Sequence, residues 1–157
     1  MDLIIYGSGG HGAVVLDAAL ARGQRLLGFV DDHAPVGAVV LGFPVLGGEA
    51  WLAAHGPARV ALGIGSNAVR RRIWERCRLL RLEVVTIVHP RACVSTFAEL
   101  GVGAVVLAGA VINARARVGL GAIVNSGAVV EHDVALGDFS HVSPNATLAG
   151  AAALGVE

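Results

Sequence analysis

His132 stands between two carboxylates, Glu131 and Asp133, in a stretch otherwise built mainly of small and aliphatic residues. An imidazole titrates near neutrality and can take the proton that an attacking amine or hydroxyl must lose, so the position reads as a general base. A neighbouring acid, Asp133 or Glu131, would fix its tautomer and favour the cation that forms. Asn125, Ser126, Asp138, Ser140, His141, Ser143 and Asn145 crowd the same stretch. A lone histidine at a turn is more often a plain surface residue, and it is the flanking acids and this polar patch that weigh toward function. No Ser or Cys stands beside a base in a nucleophile setting, which points to direct transfer rather than a covalent enzyme intermediate.

What must position these residues is a repeat of six. From Val88 to Leu154 every sixth residue is a branched aliphatic, and the fifth position of each unit is small except at Val134. A helix would repeat its apolar stripe near 3.6 residues and an ordinary strand at 2. A period of six fits one short strand plus one turn, and three units close a triangular coil of a β-solenoid. With the first and fifth positions inward, the second and sixth point outward and the third and fourth make the corner. The fourth position is Gly103, Gly109, Gly121, Gly127, Asp133 or Asn145 in six units, types that tolerate a left-handed backbone, while Arg91, Phe97, Arg115, Phe139 and Ala151 depart from the pattern.

On this scheme His132 lies at a corner, His141 and Ser143 lie on the outer side of one strand, and Asn125 stacks one coil from Ser143. One prism edge, about 13 Å for four strand residues, separates His132 from the Asn125 and Ser143 corner. That is too far for joint action within one subunit, so three prisms side by side are expected to unite the two groups in a cleft between neighbours. The chain stops inside a hexad at Glu157, whereas stacked coils need capped ends, so a C-terminal continuation is expected.

Residues 1–87 read differently, as alternating strand and helix, and 88–157 as the solenoid domain. Strands are expected over 3–6, 25–30, 44–46, 59–62 and 84–87, with helices over 13–22, 48–55 and 67–82, giving a small parallel sheet covered on both faces. Gly7, Gly9 and Gly12 satisfy G-x-G-x-x-G between a strand and a helix, and Asp31 follows at about the distance of a ribose-binding acid. Such a turn lets backbone N–H groups approach a phosphate at a helix N-terminus. The bland alternative is a tight strand-to-helix turn and nothing more. His11 could donate to a phosphate or cap the helix, and the run from Gly63 to Asn67 would sit at the same carboxyl edge of the sheet. A domain this small holds about half of a full dinucleotide fold, so a mononucleotide or nucleotide sugar fits better than NAD.

Apolar residues make up 55% of the 157 and charged ones 15%, with formal net charge zero, which describes a globular chain with an ample core. Arg70, Arg71, Arg72, Arg76, Arg78 and Arg81 are spaced as the solvated face of one amphipathic helix; no aromatic platform accompanies them, so nucleic acid is not expected as a partner. Cys77 and Cys93 form no disulfide framework or metal spacing and are expected as buried thiols. The start lacks the basic lead and long apolar core of a signal peptide, and no run approaches the roughly 18 apolar residues of a membrane helix. No membrane insertion and a cytoplasmic location are the expectation.

The order and spacing of Ile5 to Gly12, Phe29 to Asp32, His89 and Pro90, Asn125 and Ser126, Val130 to Asp133 and Phe139 to Ser143 resemble the bacterial hexapeptide-repeat sugar acyltransferases of the NeuD and PglD type. The resemblance covers the whole chain. It implies a Rossmann-like α/β domain followed by a left-handed parallel β-helix, assembled as a homotrimer that binds acetyl-CoA between neighbouring coils. It implies a UDP-sugar in the first domain, with Gly9, Gly10 and His11 at the phosphates and Asp31 near the uridine. His132 takes the place of the family's base and Asp133 that of its acidic neighbour, the catalytic pair, while Asn125 and His141 take those of residues contacting the substrates. Members of the family usually carry two or more further coils that hold coenzyme A, and these do not follow Glu157.

The activity this implies is N-acetylation of the amine of a UDP-linked amino-dideoxy sugar, with O-acetylation of sialic acid or a related hydroxyl as the near rival. A metal-dependent hydratase on the same solenoid would need three converging histidines, and only His132 and His141 are well placed, with His89 more than two coils earlier, so no metal is expected. A catalytically silent nucleotide-sugar sensor is the third class.

Overall fold

The computed structural model describes residues 2–156, and the chain divides into two compact units, Met1–Val85 and Thr86–Glu157. In the first, the elements run β1 (Leu3–Tyr6), α1 (Gly10–Ala21), β2 (Leu26–Val30), β3 (Val39–Val40), β4 (Phe43–Gly47), α2 (Glu49–His55), β5 (Arg59–Leu62), α3 (Asn67–Leu79) and β6 (Glu83–Val84). They form one sheet in the order β3-β4-β2-β1-β5-β6, parallel except where β3 meets β4. The central strand β1 is buried along its whole length, so Leu3, Ile4, Ile5 and Tyr6 show no polar alternation, as expected of a strand covered on both faces. The chain adds strands to one side of β1 and then returns to its other side at β5, which leaves a crevice outside the carboxyl ends of β1 and β5.

Three elements differ from the sequence-based expectation. The β3–β4 hairpin turns through Leu41 and Gly42, both at positive φ, a geometry usually announced by Asn-Gly or Asp-Gly; leucine hid it. The strand expected over 84–87 is two strands, because Val85 N–H donates to Val60 O whereas Ile87 N–H donates to Ala104 O. Helix α1 begins at Gly10, inside the glycine turn, so Gly12 is a helical residue.

That placement explains two of the three motif glycines. Gly7 has φ +103°, and a Cβ on Gly12 would come within 1.9 Å of the Gly7 carbonyl oxygen. A Cβ on Gly63 would lie 2.8 Å from the Gly12 Cα and from the Gly7 oxygen, so three bare backbones meet where α1 leaves the sheet. Gly9 and Gly10 are different: a Cβ on either would meet nothing within 4 Å.

The second unit is three parallel sheets of four two-residue strands, stacked as β-helix-like repeats. One sheet joins Ile87–Val88, Val105–Val106, Ile123–Val124 and His141–Val142; the second joins Cys93–Val94, Val111–Ile112, Val129–Val130 and Thr147–Leu148; the third joins Glu99–Leu100, Arg117–Val118, Ala135–Leu136 and Ala153–Leu154. Every pairing is in register at an offset of 18, as in Ile112 with Val130 and Val118 with Leu136. The first- and fifth-position residues fill the interior, where Val106, Ile112, Val124, Val130, Ala116, Ala128 and Val134 are all buried in one cluster. At the outward sixth position Cys93, Glu99, Arg117 and Ala135 are exposed, and Val105 and Ile123 are buried exceptions.

At each corner the fifth-position N–H donates to the second-position carbonyl, as Val134 does to Glu131 O and Ala128 to Asn125 O. Where the fourth residue is at positive φ, this is the type II turn. Arg115 (φ +62°), Phe139 (+56°) and Ala151 (+60°) adopt that backbone although their residue types do not favour it, so the stacked coils impose the corner there, whereas Arg91 and Phe97 in the first coil are not at positive φ.

Cys77 is buried and Cys93 exposed, which corrects the expectation of two buried thiols: Cys93 occupies an outward sixth position. No helix among the described residues is long and apolar enough to cross a membrane.

Gly12→Ala is expected to destabilise the first unit by about 1–3 kcal/mol or more through overpacking, whereas Gly10→Ala leaves the thermal midpoint unchanged or slightly raised. Paired melts of the two variants check this. Burial, then the Glu49 charge, push the Cys77 thiol up to about 12. Titration of the native protein with a thiol reagent near neutral pH should therefore modify Cys93 quickly and Cys77 only on unfolding.

Candidate functional site

In the first unit the crevice at the ends of β1 and β5 is organised by two acids that follow β2. Among the described residues Asp31 accepts from Ser8 N–H (2.8 Å) and Ser8 Oγ (2.7 Å) on Oδ2, and from His33 N–H (2.9 Å) and Ala34 N–H (3.2 Å) on Oδ1. Partial burial works to raise its pKa, but the donors prevail, Ser8 N–H foremost, and the pKa lies below the ordinary carboxylate value. Asp31 thus ties the glycine turn to the end of β2. Asp32 accepts from the Tyr6 hydroxyl at 2.7 Å and from Glu49 N–H at 2.7 Å. Burial, reinforced by that carboxylate, drives the Tyr6 phenol far above its usual range.

A cavity of about 110 Å³ opens here, with Gly7, Asp31, Asp32, His33, Ile64 and Arg72 among its lining residues. The exposed backbone of Gly9 and Gly10 begins the 12-residue α1. His11 packs against the loop from β5, its Cβ 3.8 Å from where a Gly65 Cβ would stand.

That loop is held by a residue misread from the sequence. Arg70, expected on a solvated helix face, is fully buried in the first turn of α3 and donates to Ile64 O (3.0 Å), Gly65 O (2.9 Å) and Asn67 Oδ1 (2.8 Å). Burial pulls its guanidinium down to about 10, which leaves it charged at neutral pH. Arg71, Arg72, Arg76, Arg78 and Arg81 are exposed, as a solvated face requires.

In the second unit the polar residues form two groups on two corners. His132 follows the strand Val129–Val130, and its Nδ1 lies 2.8 Å from Asp133 Oδ2. A carboxylate can only accept, so Nδ1 carries a proton, and in the neutral ring the lone pair sits on Nε2. The imidazole lies over Gly150, one coil on, where a Cβ would be 2.7 Å from both Cε1 and Nε2. Glu131, the other candidate for fixing the tautomer, instead accepts from Asn113 Nδ2 at 3.0 Å and from His132 N–H at 3.4 Å.

Asp133 is gripped from the coil before. Arg115 Nε donates to Oδ1 at 2.6 Å and Arg115 Nη2 to Oδ2 at 2.8 Å. These bonds, then the bond to His132, hold the Asp133 carboxyl well below the usual carboxylate range. A depression of about 250 Å³ beside the pair is lined by Phe97, Glu99, Arg115, Arg117 and Asp133. Arg115 figured in the sequence only as a departure from the corner glycines; its spacing of 18 from Asp133 was the signal that could have found it.

The other group sits on the corner after Ile123–Val124 and on the strand above. Asn125 Nδ2 and His141 Nε2 are 2.9 Å apart, and Asn125 Oδ1 accepts from Ser126 N–H at 2.8 Å. The amide must therefore donate to Nε2, which puts the proton of neutral His141 on Nδ1. Asn125 and His141 are brought together and so are His132 and Asp133, while the two pairs remain on different corners, as the prism scheme expected. Ser140 is buried at an inward fifth position, and Ser143 and Asn145 are exposed. His89, 6% exposed, accepts the Arg91 N–H on Nδ1 at 3.0 Å.

Residues 2–77 match the PglD N-terminal domain. UDP-N-acetylbacillosamine N-acetyltransferase from Bacillus subtilis (strain 168) is 36% identical over 122 residues, 68% of this chain and 51% of its own length. The chain thus spans about half the length of that curated relative. Perosamine N-acetyltransferase from Caulobacter crescentus, solved as a histidine-to-asparagine variant with CoA and GDP-perosamine, superposes with a TM-score of 0.91 at 36% identity, covering 98% of this chain and 73% of that one. The acetyltransferase domain of PglB from Neisseria gonorrhoeae FA1090, solved with acetyl coenzyme A, gives 0.88 at 38% identity over 95% of this chain and 73% of its own. An N-terminal α/β sheet unit of the PglD kind, hexapeptide coils behind it and this likeness to solved acetyltransferases over nearly the whole chain agree: the protein belongs to the PglD-type family of hexapeptide-repeat sugar acyltransferases.

Proposed function

We propose that the chain is the acetyl-transferring part of an N-acetyltransferase that uses acetyl-CoA to acylate the amine of a nucleotide-linked amino-dideoxy sugar, with UDP as the nucleotide. The observation that carries this reading is the His132 imidazole, proton-bearing on Nδ1 against Asp133 and basic on Nε2, exposed at a corner that Gly150 keeps open. Three of the proteins it resembles are named as acetyltransferases, two of them by an amino-sugar substrate or product.

In the reaction, the sugar amine forms a bond to the acetyl carbonyl carbon and the carbon–sulfur bond breaks. His132 Nε2 receives the proton that the amine loses, and the same imidazolium returns a proton to the departing thiolate. Asp133 stays anionic throughout, because Arg115 and His132 keep its carboxyl below the usual range. It therefore orients the ring and stabilises the imidazolium, and contributes no titration of its own to activity in the neutral range.

The nucleotide is held by the first unit, its phosphates on the N–H groups of Gly9 and Gly10 at the positive end of α1, beside His11. The uridine extends toward the Asp31 and Asp32 cavity, where Asp31 acts chiefly through the loop it ties down. Three chains associate so that the His132 and Asp133 corner of one faces the Asn125 and His141 pair of the next, each pair completing the other's site. Two free cysteines fit a cytoplasmic setting, where thiols stay reduced.

Release of CoA thiol from acetyl-CoA is expected with a UDP-linked 4-amino sugar and not with free sialic acid. His132→Ala should lower kcat by about 10²–10⁴-fold and leave the affinity for the nucleotide sugar unchanged. Absence of turnover with every amino-sugar nucleotide, or an unimpaired His132→Ala enzyme, overturns the assignment.

A further inference from the structure

We propose that Arg115 is a positioning residue for His132, holding the Asp133 carboxylate in the one orientation that presents an oxygen to the imidazole Nδ1. The inference rests on the reading of His132 as the base and adds a residue that acts on it from the preceding coil.

The geometry is a relay of two contacts on one carboxylate. Arg115 uses Nε and Nη2 on the two oxygens of Asp133, at 2.6 and 2.8 Å, while Oδ2 also takes the His132 Nδ1 contact at 2.8 Å. A forked guanidinium fixes the plane of a carboxylate as well as its position, which a single ammonium cannot do. Without the fork, Asp133 would be an exposed side chain free to rotate, and an exposed ion pair alone contributes little. Both residues hold the fourth corner position, 18 residues apart, so the parallel register stacks one on the other.

The corner backbone sets where the Arg115 side chain starts. Arg115 sits at φ +62° and Asp133 at +61°, a region that Gly103, Gly109, Gly121 and Gly127 occupy at the same position of other coils. Asp tolerates that region, whereas Arg has no local hydrogen bond to favour it there. Phe139 and Ala151 hold the same backbone at equivalent corners, so what distinguishes Arg115 is the forked contact that its side chain makes with Asp133. The other charged groups nearby do not replace Arg115: Glu131 is engaged by Asn113, and Glu99 and Arg117 line the neighbouring depression without a bond to Asp133 among the described residues.

The test compares the full chain with Arg115→Met, Arg115→Lys and Arg115→Gly. Arg115→Gly guards against a folding artefact, because glycine suits the positive φ. The expected result for Met and Gly is a kcat lowered about ten- to hundredfold with KM for both substrates within about twofold, and partial recovery in Lys. Nitrogen-15 NMR should show the Nδ1–H tautomer of His132 losing population in Met and Gly, and carbon-13 NMR should show the Asp133 carboxyl titrating at higher pH. A His132 spectrum in Arg115→Gly and Arg115→Met identical to wild type overturns the proposal, and so does a changed spectrum with unchanged kcat. Because the NMR readout needs no turnover, a wild-type chain inactive on amino-sugar nucleotides would sink the functional reading while the tautomer shift still reported on Arg115.

Discussion

Backbone pairing at an offset of 18 residues governs the second unit. Each coil donates its strand N–H groups to the next, as Arg117 does to Val134 O and Ile123 to Ser140 O, and successive strands of a sheet then stand about 4.8 Å apart. A sequence separation of 18 becomes the shortest distance between side chains on the outside of the solenoid. Arg115 reaches Asp133, Asn113 reaches Glu131 and the His132 ring covers Gly150 for that single reason. The same offset stacks the aliphatic first positions inside, so the force that builds the core and the register that assembles the polar site are one constraint.

The corners show how this constraint outranks local preference. Where the fourth residue is glycine, asparagine or aspartate, the positive φ is easily adopted; where it is Arg115, Phe139 or Ala151, neighbouring hydrogen bonds impose it. Phe139 N–H donates to Leu120 O and its ring lies over Gly121, so part of that strain is offset by packing. Arg115 has an exposed side chain and spends its contacts on Asp133, which makes its corner the one where conformational strain and polar chemistry coincide.

In the first unit the corresponding constraint is close approach. Gly7, Gly12 and Gly63 allow α1 to leave the sheet through a junction with no room for a side chain, and Arg70 fastens the Gly63–Gly65 loop beside it. Asp31 and Asp32 clamp the facing turn to the end of β2 and the start of α2. Both halves of the chain therefore present candidate binding groups that hydrogen bonds from neighbouring segments hold in place.

Much of this was legible in the residue order, because periodicity and side-chain direction are local properties. A period of six with small fifth positions determined a three-sided coil, an inward aliphatic column and the outward corner place of His132; strand, glycine turn and helix determined the sheet edge at Gly7 to Gly12. What one dimension could not decide was which of several neighbours a polar group would choose. Asp133 rather than Glu131 reaches the imidazole, Arg115 leaves the ranks of pattern-breaking residues to hold that carboxylate, Arg70 turns inward from a run of arginines that reads as one solvated helix face, and Leu41 turns a hairpin without the usual residue. Those choices follow from hydrogen-bond geometry between segments 18 or more residues apart, or from backbone imposed by neighbouring strands, and that information exists only once the chain has folded.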